Sequence, residues 1–364
     1  MFRLGLKGPG SSLLLVVLLI MIISLFSLYS ASHYPSRGVM INYTLKQIIW
    51  LCLGVLAFVI IIKFGYERCI DYAYLIFAVN VILLILVLVA GSTRLGAKRW
   101  IDIGFFNLQP SELCKISIIL VLVKFVASNL HRLYTKRVVL LALIICVFPM
   151  FLIIKQPDLG TSLVFLPILF VILFTAGAKI KYLVSMILVG LSSLPVFWFV
   201  LKDYQKKRLM VFLNPDADPL GAGYTVTQSK IAVGSGGFLG SGWLSGTQNR
   251  LNFLPERHTD FIFSVIGEEW GFLGSVFVIG IFILLLHQMF RITEETSDVN
   301  GKLLISGIIT LIWFQIFVNI SMTIGLMPVV GLPLPLVSYG GSSLLSTMIL
   351  LGLAYSVWQK RKIF

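Results

Sequence analysis

Acidic side chains are scarce: the 364 residues hold 15 Asp and Glu against 29 Lys and Arg, and the charged types together make up 12% of the chain. So thin a charge complement excludes a soluble domain with an ordinary hydrated surface. Cysteine is scarce as well. Cys52, Cys69, Cys114 and Cys146 lie far apart, with neither a CxxC pair nor a Cys/His spacing, which argues against a disulfide framework or a metal centre built on thiolates. The glycine-rich runs have no Lys-Ser/Thr after them and no strand before them, so the Walker and Rossmann fingerprints are missing. No basic patch sits in a soluble domain, which sets nucleic acid aside as a partner. With neither a dividing linker nor a strong internal repeat, residues 1–364 read as one domain.

Apolar residues fill the space. They make up 58% of the chain, and the mean hydropathy is +0.98. Backbone in lipid must satisfy its own hydrogen bonds, so apolar runs of this length are helices. The sequence predicts an all-α, polytopic transmembrane bundle of about ten spans, at 12–31, 47–63, 73–90, 112–128, 138–154, 159–176, 182–201, 261–289, 303–325 and 339–358. An even number puts both termini on one side. Arg3, Lys7, Arg68, His131, Arg132, Lys136, Arg137, Lys179, Lys181, Arg291, Lys360, Arg361 and Lys362 all fall on that side when the spans alternate, which makes it cytoplasmic. Arg3 and Lys7 before an apolar run, with Ser30-Ala31-Ser32 after it, imitate a secretory signal. The run from Leu13 to Leu28 is long for a cleaved one, and an uncleaved first span is expected.

The opposite face carries bases too: Arg94, Lys98, Arg99, Lys206, Lys207, Arg208, Arg250 and Arg257, mostly in long or glycine-rich loops and therefore read as ligand-facing. The largest of these loops is a stretch of about 202–259 between the seventh and eighth spans, longer than an idle connection needs to be. Inside it, Gly221-Ala222-Gly223-Tyr224 and the run Gly234 to Gly240 are either tight turns or places where backbone approaches a substrate.

The densest cluster of charge runs from Leu254 to Gly271, where Glu256, Arg257, His258, Asp260, Glu268 and Glu269 meet the start of the eighth span. Ionisable groups at a membrane edge cost free energy, and a functional site is the default inference. Asp260 is either a helix cap or a base. His258 is the rival base, better suited to positioning, and Glu268 reads as structural, with a cation or a lysine as its other prospective partners. On the same face, Gly96-Ala97-Lys98-Arg99-Trp100-Ile101-Asp102 leads to Gln109-Pro110-Ser111-Glu112, where the fourth span begins. Glu112 suits the positive end of that helix, whereas Lys115 opposes it and needs a partner, either a phosphate or Asp158. Asp158 closes the turn Lys155-Gln156-Pro157-Asp158 as a cap, and beside Arg99 and Lys115 it would support a cationic pocket. Pro328 to Pro335, followed by Ser338-Tyr339-Gly340-Gly341-Ser342-Ser343, cannot continue a helix and must be buried in protein or line a cavity.

These stretches carry a resemblance. NPDADPLGAGY (214–224), Gln228-Ser229-Lys230, Gly246-Thr247-Gln248 and LPERHTDFIF (254–263), with QPSExxK (109–115), KQPDLGTS (155–162) and PLPLVSYGGSS (333–343), resemble in order and topology the shape, elongation, division and sporulation (SEDS) family over nearly the whole chain. PVVGxPLPLVSYGG and NPDADPLGAGY are closer to the family's elongation branch, the RodA-like one, than to its division branch. Lys46-Gln47 departs from the expected Arg-Gln, which leaves that cation's role open.

The resemblance implies a peptidoglycan glycosyltransferase that polymerises lipid II on the outer face of the cytoplasmic membrane during elongation. Its implied partners are a class B penicillin-binding protein that cross-links the product and the membrane proteins of the elongation complex. It implies Asp260 as catalytic base, and Lys115, Arg99, Glu112, Lys46, His258, Arg257 and Ser338 as substrate-binding residues, with Asp158, Trp100 and Glu268 in support. It fixes no cofactor and leaves a divalent cation, Mg or Mn, open. The residues suit this chemistry, because a diphosphate leaves without protonation and one carboxylate with a cationic pocket suffices, where a hydrolase needs a second carboxyl. A lipid II flippase or a non-catalytic scaffold would share the spans. The absence of inverted repeats and the gathering of charge at one face count against the flippase, and the polar constellation counts against the scaffold.

Overall fold

The computed structural model describes residues 8–34, 42–94, 97–102, 104, 107–219 and 221–360. Arg3, Lys7, Arg361 and Lys362 of the orientation argument, and Gly96 and Leu220 of the motifs, lie outside the described residues. The chain begins with α1 (Pro9–His33), α2 (Tyr43–Phe64), the short α3 (Tyr66–Asp71) and α4 (Ala73–Ala90). Three short antiparallel strands follow, β1 (Ser92–Arg94), β2 (Ala97–Asp102) and β3 (Asn107–Leu108), pairing Ser92 with Trp100 and Ile101 with Leu108. Then come α5 (Pro110–Ser128), α6 (Lys136–Lys155), α7 (Leu159–Thr175) and α8 (Ile180–Val200). The last group is α9 (Asp203–Leu213), α10 (Ala222–Ser235), α11 (Thr247–Arg250), α12 (Ile262–Glu295), α13 (Val299–Thr323) and α14 (Gly341–Lys360).

All ten predicted runs are helical, and seven of the described helices are long and apolar enough to cross a membrane: α1, α2, α4, α6, α12, α13 and α14. Their boundaries follow local chemistry. The Asn42 side chain accepts from Leu45 N at 2.9 Å to start α2, Asp298 accepts from Gly301 N at 2.8 Å to start α13, and Pro110 opens α5 at a position that needs no donor. The interior is built on α5, α13 and α14. In the apolar windows of α13 and α14 78% of residues are buried inside the protein, against 22% in α2 and α4, which therefore present most of their surface outward. α13 packs on α5, α7 and α12, and α14 on α2.

Two expectations need correction. The stretch 202–259 is not a structureless loop: it folds into α9, α10 and α11, with α10 docked on α12 and α13, where Ser229 Oγ lies 2.7 Å from Ser264 Oγ and donates to the Thr323 carbonyl at 2.6 Å. The eighth span is not one continuous rod either. α12 breaks at Gly271, whose φ of 66° and ψ of −159° lie outside the helical region. The groups freed there find partners in the glycine run. Ser241 N donates to Glu268 O and Gly242 N to Glu269 O, both at 3.0 Å, while Phe272 N donates to Gly237 O at 2.9 Å.

That exchange explains the glycines. A Cβ on Gly236 would stand 2.0 Å from the Gly267 carbonyl oxygen, and one on Gly240 2.2 Å from that of Glu269. Side chains are excluded because backbone approaches backbone, and the substrate-approach reading of this run is replaced by a structural one.

Candidate active site

Five helices, α2, α5, α7, α12 and α14, start at the same end of the bundle, and the ionisable residues singled out above collect there. Asp260 lies in the turn preceding α12. Phe261 is the residue that caps that helix, without a side-chain bond, so Asp260 is not a cap. Its backbone carbonyl accepts from Asn319 Nδ2 at 3.0 Å. Among the described residues no donor is hydrogen-bonded to its carboxyl, which is half-buried. Burial, and secondarily the charge of Glu256, push its pKa up to about 6 against the opposing pull of Arg208 and Arg99.

The proline-rich segment 328–338 forms the facing wall. A Cβ on Gly331 would stand 3.4 Å from Asp260 Oδ2, and the φ of 77° at this glycine disfavours any side chain there. The neighbouring Val330 carbonyl lies so close to Gly160 that a Cβ there would be 2.8 Å away, so the tip of the segment is wedged between Asp260 and the start of α7. Asp158 caps α7, accepting from Thr161 N at 3.2 Å and Thr161 Oγ1 at 3.0 Å, and also takes bonds from Gln109 Nε2 at 3.2 Å and Ser111 Oγ at 3.3 Å. Arg99 stands beside it, Nη1 to Oδ1 at 4.0 Å. It donates through Nε to the Gln156 carbonyl at 3.1 Å and through Nη2 to that of Pro157. Arg208 enters from α9, donating to the Val329 carbonyl at 3.2 Å and otherwise exposed.

Arg208 is one of the outer bases that the sequence reads as ligand-facing, but nothing in the sequence separates it from Lys206 and Lys207 as a site residue. The helical register of Asp203–Leu213, had α9 been recognised, was the available signal.

Several expected ligands are otherwise engaged. Lys115 is 1% exposed and pairs with Glu112 at 2.6 Å, and Ser346 Oγ donates to Glu112 at 3.1 Å. Its partner in the protein is thus Glu112 and not Asp158. One turn apart on a helix buried against α14, the two charges neutralise each other inside the bundle. Arg257 is 5% exposed and gives its guanidinium to three carbonyls, those of Asn249 at 2.6 Å, Ala31 at 2.7 Å and Tyr34 at 2.8 Å, which leaves it a clamp between α1 and the start of α12. Ser338 donates to the Thr259 carbonyl at 2.6 Å and accepts from Leu334 N at 2.8 Å, fixing the proline-rich segment rather than a ligand.

His258 stacks on Tyr43, with ring centroids 4.1 Å apart, and its carbonyl accepts from Tyr339 N at 2.9 Å. Burial lowers its pKa, which keeps the ring neutral near pH 7. Trp100 is half-buried on β2, and Lys46 is exposed on the first turn of α2. Glu268 accepts from Gln248 N at 2.7 Å, Asn249 N at 3.3 Å and Thr247 Oγ1 at 3.2 Å, which anchors α11 on α12. Among the described residues no group of three or more His, Cys, Asp or Glu is arranged to hold a metal ion.

Residues 11–363 match the family model FTSW_RODA_SPOVE, described as cell cycle protein. The peptidoglycan glycosyltransferase MrdB of Escherichia coli K12 is 39% identical over 356 residues, 96% of this chain and 94% of its own. Among solved structures, a chain described under the structural coordination of polymerization and crosslinking by a peptidoglycan synthase complex is 33% identical, with a TM-score of 0.82 over 96% of this chain and 97% of that one. The rod shape determining protein RodA of Thermus thermophilus is 31% identical, with a TM-score of 0.71 over 96% of each chain.

Proposed function

This chain belongs to the FtsW/RodA/SpoVE family of cell-cycle proteins, and we propose from that premise that it builds glycan strands with Asp260 as its general base. It is a multi-pass membrane protein and a RodA-like peptidoglycan glycosyltransferase. The observation that carries the assignment of the base is the half-buried Asp260 carboxyl, unbonded, raised to about 6, and flanked by Arg208 and Arg99.

The donor is lipid II. The acceptor hydroxyl attacks the anomeric carbon, its proton passes to the Asp260 carboxylate, and the bond from that carbon to the phosphate oxygen breaks with inversion. The electron pair leaves with the diphosphate. A base with a pKa near the working pH is suited to this proton transfer. The diphosphate needs no acid, only charge, and guanidinium groups offer paired donors to phosphate oxygens. Arg208 and Arg99 take that role in place of the buried Lys115. Every step runs on side chains of this chain, with none routed through a metal.

The site opens on the extracytoplasmic face of the cytoplasmic membrane, with both termini cytoplasmic. The alternation of spans and the basic residues Arg68, Arg132, Lys136, Arg137, Lys179 and Lys181 at the other ends of the helices support this orientation. The likeness to a chain of a peptidoglycan synthase complex supports a class B penicillin-binding transpeptidase as partner, within the elongation machinery. The test is to purify the protein with that transpeptidase, supply fluorescent lipid II and resolve the products. Glycan ladders from the parent and none from Asp260→Ala are expected. Equal ladders from both would remove Asp260 from the reaction.

A further inference from the structure

Asn319 lies in the last turns of α13 with no exposed surface. Its Nδ2 carries two hydrogens, and both are used: one bond runs to the Leu332 carbonyl at 2.7 Å and the other to the Asp260 carbonyl at 3.0 Å. These carbonyls belong to two non-helical segments that meet again only farther along, where Ser338 Oγ donates to the Thr259 carbonyl at 2.6 Å and Tyr339 N to that of His258 at 2.9 Å. On one side is the turn that carries the base; on the other is the proline-rich wall, one residue past Gly331. The Asn319 Oδ1, by contrast, is buried without a hydrogen-bond partner.

An unpaired buried carbonyl costs free energy, and an apolar residue of the same size in the middle of a membrane helix bundle would avoid that cost. The side chain is kept for its two donors. We infer that Asn319 is a positioning residue for glycosyl transfer: by tying the Asp260 carbonyl to that of Leu332 it sets the distance between the base and the Gly331 wall where the acceptor must fit. It touches no reacting atom and acts through Asp260, so the inference rests on the reading of Asp260 as base.

Without the tie, the wall is held to the turn only through the Thr259 and His258 carbonyls, and the spacing between Asp260 and Gly331 loosens. An error of about an ångström between base and acceptor costs on the order of a hundredfold in rate. Binding of the lipid and diphosphate, which contact other elements, stays as it was. The loss therefore falls on kcat, with KM held.

The experiment uses the full chain with its transpeptidase partner in lipid nanodiscs, following initial rates of lipid II polymerisation across pH. Asn319→Leu keeps the size and removes both donors; Asn319→Ser keeps one. For Asn319→Leu, kcat is expected to fall at least about tenfold with KM inside about twofold of the parent. The acid limb of kcat/KM should move toward the ordinary carboxylate range as water reaches a loosened Asp260, and Asn319→Ser should fall between. A folded Asn319→Leu variant with parental kcat and acid limb, or one whose loss lies in KM alone, overturns the inference. Should the Leu variant fail to accumulate as folded protein, the same criteria apply to Asn319→Ser. Asp260→Asn is measured in parallel. If it polymerises like the parent, the base assignment falls and takes this inference with it; if it is inactive while Asn319→Leu is normal, the positioning role alone is wrong.

Discussion

The raised pKa of Asp260 makes a quantitative demand on the pH profile. With a value of about 6, the free enzyme holds its base ionised to about 90% at pH 7 and about 9% at pH 5, so kcat/KM should drop roughly tenfold over that interval with unit slope on the acid side. A carboxylate at its ordinary value near 3.8 would stay more than about 90% ionised at pH 5, and the profile would be flat. The measurement is the initial rate of polymer formation from labelled lipid II at constant ionic strength, with each sample returned to pH 7 to exclude inactivation. His258 also titrates below its usual range, so His258→Gln serves as the control and should keep the limb, whereas Asp260→Asn should lower activity by about 10²–10⁴ and remove it.

The same shift has a consequence for stability, of opposite sign to that of a salt-bridged acid. Because the folded state holds its proton more tightly than the unfolded state, stability falls as pH rises between about 4 and 6, and the ionised form at pH 7 costs the fold up to about 3 kcal/mol, less what residual solvent contact returns. Asp260→Asn should therefore melt higher than the parent at pH 7 and lose that advantage below pH 4. A flat kcat/KM from pH 7 to pH 5, a limb that vanishes in His258→Gln, or an Asn variant less stable than the parent at pH 7 would refute the reasoning.

Arg208→Ala should reduce kcat/KM for lipid II by roughly 10- to 100-fold with an unchanged melting temperature, because its side chain is exposed and its one hydrogen bond among the described residues is to the Val329 carbonyl, while Arg99→Ala should lose both activity and stability through the Gln156 and Pro157 carbonyls it now satisfies. Lys115→Met should destabilise the protein by about 3–5 kcal/mol by stranding the buried Glu112 charge, and adding Glu112→Gln should recover most of it in thermal melts; a Lys115 variant of parental stability and impaired donor use would restore the phosphate role. Gly271→Ala should cut the yield of folded protein severely, since its Cβ would stand 2.3 Å from Gly240 N at a backbone angle that alanine resists, and parental yield in size-exclusion chromatography would contradict the close approach described.

The bundle was legible in the sequence because bilayer-length apolar runs admit little besides helices, and all ten runs came out helical. Asp260 and the Pro328–Pro335 wall were legible as local exceptions, a charge and a non-helical segment where lipid tolerates neither. Pairing was not legible. Lys115 lies one turn from Glu112 in sequence, yet whether that pair faces a pocket or the bundle interior depends on α14, more than two hundred residues away, packing against α5. Arg257 is likewise spent on carbonyls of α1 and α11, which no spacing near LPERHTD announces. The helices α9 to α11 were missed because polar, glycine-rich segments carry little apolar periodicity, and their order comes from the docking of α10 on α12 and α13 and from the packing of α9 and α11 on α10.

Membranes differ in hydrocarbon thickness by several ångströms, and a spanning helix answers by changing its tilt. A rigid rod from Ile262 to Glu295 would turn every such adjustment into a displacement of its first turn, beside Asp260. The discontinuity at Gly271 interrupts that lever: a change in tilt of the piece 272–295 need not be carried into 262–270, which takes its register from the glycine run bonded to its last carbonyls. The geometry around the base is thereby insulated from bilayer mechanics, and the polymerisation rate should depend only weakly on the chain length of the lipids in which the enzyme is reconstituted.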